Sequence, residues 1–290
     1  MKIRVSEYSG KNNGPRGTKG LTPHAVRAFQ KLIHHHYQEH SRAFPWRMTH
    51  NPYHILISEI MLQQTQTERV AEKYEQFINA FPNFSSLARA PLCEILKAWQ
   101  GLGYNRRALA LKKIAQTVMS KFHGNLPSYS EPLMTLPGIG TATAYAISAF
   151  AFNEPTIFIE TNIRRVFIHH FFQKEHGIKD TEILPLVEKT LDTSNPRKWY
   201  YALMDYGVML KKEYQNPNRR SAHYQKQAPF EDSNRQIRGM ILKTLVIEHD
   251  ISETEIIKNL DMTPGRVRKN LIRLQKEGFI KKKGKRFTIT

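Results

Sequence analysis

The chain has one cysteine in 290 residues, Cys93. One thiol cannot close an internal disulfide, and it cannot supply a cysteine zinc site or the thiolates of an iron–sulfur cluster. Cys93 lies in PLCEILKAW on an apolar helical pattern, where a buried small hydrophobe is expected rather than a nucleophile. Long hydrophobic runs are missing too. The longest, AYAISAFAF over 144–152, falls well short of the roughly 20 residues that span a bilayer. The opening MKIRVSEYSGKNNGPRGTKG has no apolar core, so it does not read as a secretory signal. Acids are scarce: 25 Asp+Glu against 44 Lys+Arg leave a formal charge of +19. An excess of that size calls for a polyanionic partner, most simply nucleic acid. An acidic membrane surface finds no support, because there is no amphipathic basic helix and no lipidation motif. A cytoplasmic or nucleoid location is expected.

What is present is 40% hydrophobic and 24% charged, the make-up of a globular chain with material for one or two domains. Residues 1–21 are rich in Gly, Asn, Lys and Arg without periodicity and read as a flexible basic tail. From 22 to about 210, helical patterns follow one another with almost no strand alternation. Their start signals are Thr22-Pro23, Asn51-Pro52, Ala90-Pro91 and Asn195-Pro196. Residues 211–231 lose periodicity and read as an irregular polar segment that either packs over the body or links it onward. Residues 232–290 form a separate pattern: a helix, a short helix capped at Ser252, a basic helix opening at Thr263-Pro264, and a basic hairpin turning at Lys283-Gly284. That order is the layout of a winged helix-turn-helix, with Arg266, Arg268, Lys269 and Lys282 as its DNA-contacting candidates. A lysine-rich hairpin can also be just a protected sheet edge, and winged helices also bind proteins.

Several stretches carry chemistry. Around ISEIMLQQTQTERV (57–70), Tyr53, Leu56, Ile57, Ile60 and Met61 fall on one helical stripe. Glu59, Gln63 and Gln66 are then expected to gather on another face, either solvated or built to handle a proton among neutral hydrogen-bonding groups. GLGYNRRALAL (101–111) places Tyr104 in a glycine-rich loop before Arg106 and Arg107. The ring suits base stacking and the cations suit phosphates. In LPGIGTATA (136–144), Gly138 and Gly140 permit a tight turn, and Thr141 opens a helix whose first amides point outward. In TIFIETNIRRV, Glu160 interrupts an apolar run at a helix start, where a carboxylate can simply be a cap.

Together, FPWR (44–47), NPYHILISEIMLQQTQ (51–66), LARAPLCEILKAWQGLGYNRRAL (87–109), LPGIGTATA, ETNIRRV (160–166) and ALMDYGVML (202–210) resemble the adenine DNA glycosylase (MutY) branch of the helix-hairpin-helix DNA glycosylase superfamily. The resemblance implies a mostly α fold, a two-subdomain glycosylase domain over 22–231 that grips DNA across its cleft; the small winged helix-turn-helix domain read over 232–290 follows it. It implies that Glu59 is the general acid and that Gln63, beside Gln64, wedges into the duplex as the target base is extruded. Gly138 and Gly140 then hold the backbone, and Glu160 stands where the family has its catalytic aspartate.

The chain departs from the family pattern at four places. Glu160 is one methylene longer than Asp. The four iron–sulfur cysteine positions align on Lys211, Asn218, Ser221 and Gln227, so no cluster and no other cofactor or metal is expected. Arg219, Arg220 and Lys226 of that loop are left as candidates for metal-free contact with DNA. The position two residues after Gly140, lysine in the bifunctional lyases, is Ala142, which implies a monofunctional N-glycosylase without strand-cleaving lyase activity. The family's 8-oxoguanine-sensing C-terminal domain is replaced by the winged helix. The expected partner is double-stranded DNA with a mismatch or lesion, met by a monomer, with adenine opposite guanine or 8-oxoguanine excised. A thymine or uracil mismatch glycosylase and a catalytically inactive mismatch binder stay open as alternatives.

Overall fold

The computed structural model describes residues 21–172, 174–226 and 229–290. The basic tail expected over 1–21 therefore lies, apart from Leu21, outside the described residues. In chain order the helices are α1 (Pro23–His40), α2 (Pro52–Leu62), α3 (Thr67–Ala80), α4 (Phe84–Arg89) and α5 (Leu92–Ala98). There follow α6 (Arg106–Lys121), α7 (Ser130–Met134), α8 (Thr141–Phe152), α9 (Thr161–Phe171), α10 (Asp180–Thr190) and α11 (Pro196–Glu213). The C-terminal part adds α12 (Asn234–Glu248), β1 (Ile251–Ser252), α13 (Glu253–Leu260), α14 (Pro264–Lys276), β2 (Ile280–Lys283) and β3 (Arg286–Ile289). No helix among the described residues is long and apolar enough to cross a membrane.

The helix starts follow the local chemistry. Thr22 and Asn51 cap α1 and α2 by accepting from the N–H groups of Ala25 and Tyr53, each ahead of a first-turn proline whose missing N–H costs the helix nothing. Asn195 does the same for α11. At α5 the expected order shifts by one, because Pro91 is itself the cap residue and Leu92 opens the helix. The chain divides into two compact units: Met1–His50, Ser128–Glu131 and Gly140–Lys226, and Asn51–Pro127, Pro132–Ile139 and Gln227–Thr290.

The first unit is built on α1, α9 and α11. Fully buried Phe29 meets Phe167, Phe171, His170 and Trp199 edge-on, with ring centroids 5.3–5.9 Å apart. α8 joins through Phe150, stacked on Tyr201 at 4.5 Å. The α9–α11 contact depends on a bare backbone: a Cβ placed on Gly207 would sit 2.5 Å from the Asn162 carbonyl oxygen. Gly207→Ala is expected to lower stability by about 1–3 kcal/mol through overpacking, read as a fall in the urea midpoint at constant m value. The segment after α11 is less irregular than its sequence suggests. Pro217–Arg220 forms a 3-10 turn, and Ile178 and Ser221 make an isolated parallel bridge, with Ala222 N–H donating to the Ile178 carbonyl at 2.8 Å.

In the second unit α2 to α6 pack together, with Tyr53 Oη donating to the Phe81 carbonyl at 2.5 Å. The single apolar stripe expected for α2 is too narrow a description. Tyr53, Ile55, Leu56, Ile57, Ser58, Ile60 and Met61 are all buried, so the helix is enclosed on most sides. α2 also stops at Leu62, and Gln66 caps α3. Gln63 and Gln66 therefore do not share a helical face with Glu59. Cys93 is half-buried rather than buried, with its Sγ 3.9 Å from His249 Nδ1.

Residues 229–290 belong to this second unit. α12 is capped by Ser233 and α13 by Ser252, the latter in a reciprocal capping box with Glu255. Thr263 precedes Pro264 but makes no side-chain cap bond. The strands form one antiparallel sheet in the order β1-β3-β2, with Ile251 opposite Phe287 and Ile280 opposite Ile289. The hairpin turns one residue later than expected, at Gly284 and Lys285, because Lys283 still pairs with Arg286. Ile237, Ile241, Leu245, Val267, Leu271, Leu274, Phe279 and Phe287 fill its core.

Candidate active site

Glu160 lies in the first unit as the N-cap of α9. Its Oε1 accepts from the backbone N–H groups of Asn162 at 2.6 Å and Ile163 at 2.8 Å, and its Oε2 accepts from Asn162 Nδ2 at 3.3 Å. Burial pushes the carboxyl above its usual range, while those two backbone donors, Arg165 and Arg164 pull it back. Both oxygens act as acceptors. Asn162 is fixed in turn. Its Oδ1 accepts from Arg165 Nη1 at 2.6 Å, and the same nitrogen donates to the Gly207 carbonyl at 2.7 Å. The cap expected from sequence and a rigidly placed carboxylate are thus the same structure.

The first unit holds a second acid that sequence reading passed over. Asp205 of α11 is buried and accepts four hydrogen bonds, from Arg42 N at 2.9 Å, Arg42 Nε at 2.7 Å, Arg47 Nη1 at 2.8 Å and Arg47 Nη2 at 2.9 Å. Arg47 also lies over the Tyr201 ring at 4.6 Å. FPWR and MDYG were visible as motifs, but nothing in their spacing pairs them, since Arg42 and Arg47 lie 163 and 158 residues from Asp205. Gly140 caps α8 and Thr141 is exposed at its first turn, so the outward amides expected there are in place.

Of the positions aligned on the family's iron–sulfur cysteines, Lys211 lies in the last turn of α11, buried Asn218 donates to the Thr161 carbonyl at 2.8 Å, and Ser221 is buried beside Ile178. Gln227 lies outside the described residues. An ammonium, an amide and a hydroxyl are not thiolate ligands, so these residues do not fit a cluster. Arg220 turns inward, donating to the carbonyls of Phe172 and Ile168, and so is not the DNA contact its charge suggests. No group of three or more metal-ligating side chains occurs among the described residues.

In the second unit Glu59 is half-buried, the break in an otherwise enclosed stretch of α2. Gln63 Nε2 donates to the Gly138 carbonyl at 3.3 Å, which ties the end of α2 to the glycine turn. Gly138 needs its glycine, with φ at +81° and Ala110 Cβ only 3.2 Å from where a Cβ would stand. Gln64 is exposed at φ +56°.

Arg107 is not the phosphate ligand expected of it. It is buried, and Nη1 donates to the carbonyls of Ile60, Met61 and Gln63 while Nη2 donates to Thr65 Oγ1 and to the carbonyls of Leu102 and Gly103. Burial lowers its pKa to about 10, partly offset by Tyr104. The cation is consumed in holding one corner of the fold together.

Tyr104 carries Arg107 5.5 Å and Arg235 5.6 Å from its ring centroid, and Arg235 Nη1 donates to its hydroxyl at 2.7 Å. Arg106 is exposed but paired bidentately with Glu277, which binds Arg238 in the same way. Hydrogen bonds from Arg106, opposed by burial and reinforced by Arg238, hold the Glu277 carboxyl down at about 2. Arg266 pairs with Asp232 and Arg268 with Glu253, whereas Lys269 and Lys282 are exposed, Lys282 lying 5.5 Å from the Phe287 ring centroid.

Residues 57–189 match the family described as HhH-GPD superfamily base excision DNA repair protein, and the match supports that superfamily for this part of the chain. The curated relatives it matches are adenine DNA glycosylases, which supports that branch. It is 37% identical over 186 residues to the adenine DNA glycosylase of Buchnera aphidicola subsp. Baizongia pistaciae, covering 63% of this chain and 52% of that protein. To the adenine DNA glycosylase of Mycolicibacterium smegmatis it is 36% identical over 177 residues, 60% of each chain. The chain thus spans only about half the length of the curated relatives it matches. The solved structure of a thermostable thymine-DNA glycosylase superposes with a TM-score of 0.58 at 26% identity, over 66% of this chain and 90% of that one.

Proposed function

We propose that the chain is a monofunctional DNA glycosylase that acts as a monomer and removes adenine mispaired with guanine or 8-oxoguanine. The observation that carries this is Glu59, the one carboxyl in the otherwise buried run 55–61 of α2, inside the segment that matches the superfamily. Glycosidic cleavage passes through an oxocarbenium-like sugar and uses a pair of carboxyl groups. Glu59 gives its proton to a ring nitrogen of the extruded base, so that the C1′–N bond breaks with the electron pair leaving on a neutral base. Glu160, in its ionised form, stabilises the cationic sugar until water adds at C1′ and loses its proton. Ala142 leaves no amine at the position from which the lyases attack, so the product is an intact strand with an abasic sugar. No cofactor takes part in this scheme. Residues 232–290 serve as a winged-helix module, with exposed Lys269 and Lys282 reaching duplex phosphates.

The test uses duplexes with A opposite 8-oxoguanine, A opposite G, T opposite G and U opposite G. Strand breaks that appear only after alkali, and only with the adenine duplexes, are the expected result. Breaks without alkali would rule out the monofunctional scheme. Breaks with T:G or U:G instead would move the substrate to a pyrimidine, and tight binding without breaks would leave a binder.

A further inference from the structure

Four positive-φ residues of the second unit meet in one neighbourhood. Gly101, Gly103 and Tyr104 have φ of +94°, +69° and +46°, and Gln64 has +56°. Left-handed conformations at Tyr104 and Gln64 are uncommon for residues with a side chain and persist only where the surroundings enforce them. Arg107 enforces both, binding the carbonyls of Gln63, Leu102 and Gly103 with one guanidinium. The Gln63–Gln64 corner and the Tyr104 loop are therefore one surface. Arg235 completes it from α12, outside the segment that matches the superfamily. The Arg106–Glu277–Arg238 cluster fixes the placement of α12 and α14 against the start of α6 through four bonds of 2.6–2.9 Å.

We infer that Arg235 is a specificity-determining residue: it reads the base left in the stack opposite the extruded one. This rests on the reading of Tyr104 as the side chain that stacks into the duplex. A guanidinium 2.7 Å from the hydroxyl tip of an inserting ring meets base edges before it meets backbone. Its fork matches an edge with two acceptors side by side, as guanine presents with O6 and N7, and not the donor of cytosine. Exposed Lys269 and Lys282 are better placed for the phosphate work.

The readout is the ratio of single-turnover excision rates for A opposite G over A opposite C. A bidentate arginine–guanine contact is worth about 5- to 150-fold, and the wild type is expected in that range. Arg235→Ala should collapse the ratio towards one, mainly by slowing the A:G duplex, and Arg235→Lys should fail to restore it because an ammonium has no fork. A thermal melt of each variant checks folding. A ratio unchanged in Arg235→Ala, equal losses on both duplexes, or a wild type indifferent to G against C would each overturn the inference while leaving the glycosylase reading intact. If the wild type opens no alkali-labile site, that reading falls instead. The same ratio is then taken from equilibrium binding, where its survival in Arg235→Ala overturns the inference.

Discussion

Glu59→Gln is expected to slow base excision by about 10²- to 10⁴-fold, the usual contribution of a positioned general acid. Glutamine keeps the length of the side chain and its capacity to hydrogen-bond, so the packing of α2 around it changes little. What goes is the transferable proton. The loss amounts to about 3–5 kcal/mol of barrier, all of it in the transition state. Affinity for an A:G duplex, measured by anisotropy under the same salt, should stay within about threefold, since the cationic surface and the glycine turn are untouched. A variant that binds tenfold more weakly and cuts normally when saturated would place Glu59 in recognition and not in proton transfer.

The second large effect concerns stability. Asp205→Ala is expected to destabilise the first unit by about 3–5 kcal/mol, because removing one member of a buried ionic cluster strands the others. Arg42 and Arg47 would lose four short bonds together. Burial alone would raise the Asp205 carboxyl, but Arg47 and then Arg42 outweigh it and leave it below the ordinary aspartate value. The sign of the pH dependence follows. The unfolded chain takes up this proton first as pH falls, so the contribution is complete above the unfolded value and is lost on descending through the folded one. Urea midpoints for the wild type should therefore drop through that acid window more steeply than those of Asp205→Ala. A parallel pair of curves would mean that the cluster contributes no pH-dependent stability.

Much of this was legible from local chemistry. Thr22, Asn51, Asn195 and Ser252 were readable as helix starts because a cap is decided within three residues of itself. Glu160 was readable by the same rule, since the amides it caps are those of Asn162 and Ile163, two and three residues on.

What the sequence hid was fixed by distance or by helix length. A wheel drawn through 57–70 assumes one continuous helix, and the stop at Leu62 moves Gln63 and Gln66 off the face shared with Glu59. Arg107 looked like a surface cation because five of its six acceptors are backbone carbonyls, which no side-chain pattern announces. Arg235 and Glu277 stayed invisible because their partners, Tyr104 and Arg106, lie 131 and 171 residues away.

The hydrogen bond from Asn218 to the carbonyl of Thr161 has a consequence for where such a protein can work. It moors the first turn of the helix that carries Glu160 to a stretch of chain where the family pattern places an inorganic cofactor. A carboxamide does not cycle between redox states. Neither a burst of peroxide nor a shortage of iron can loosen that mooring.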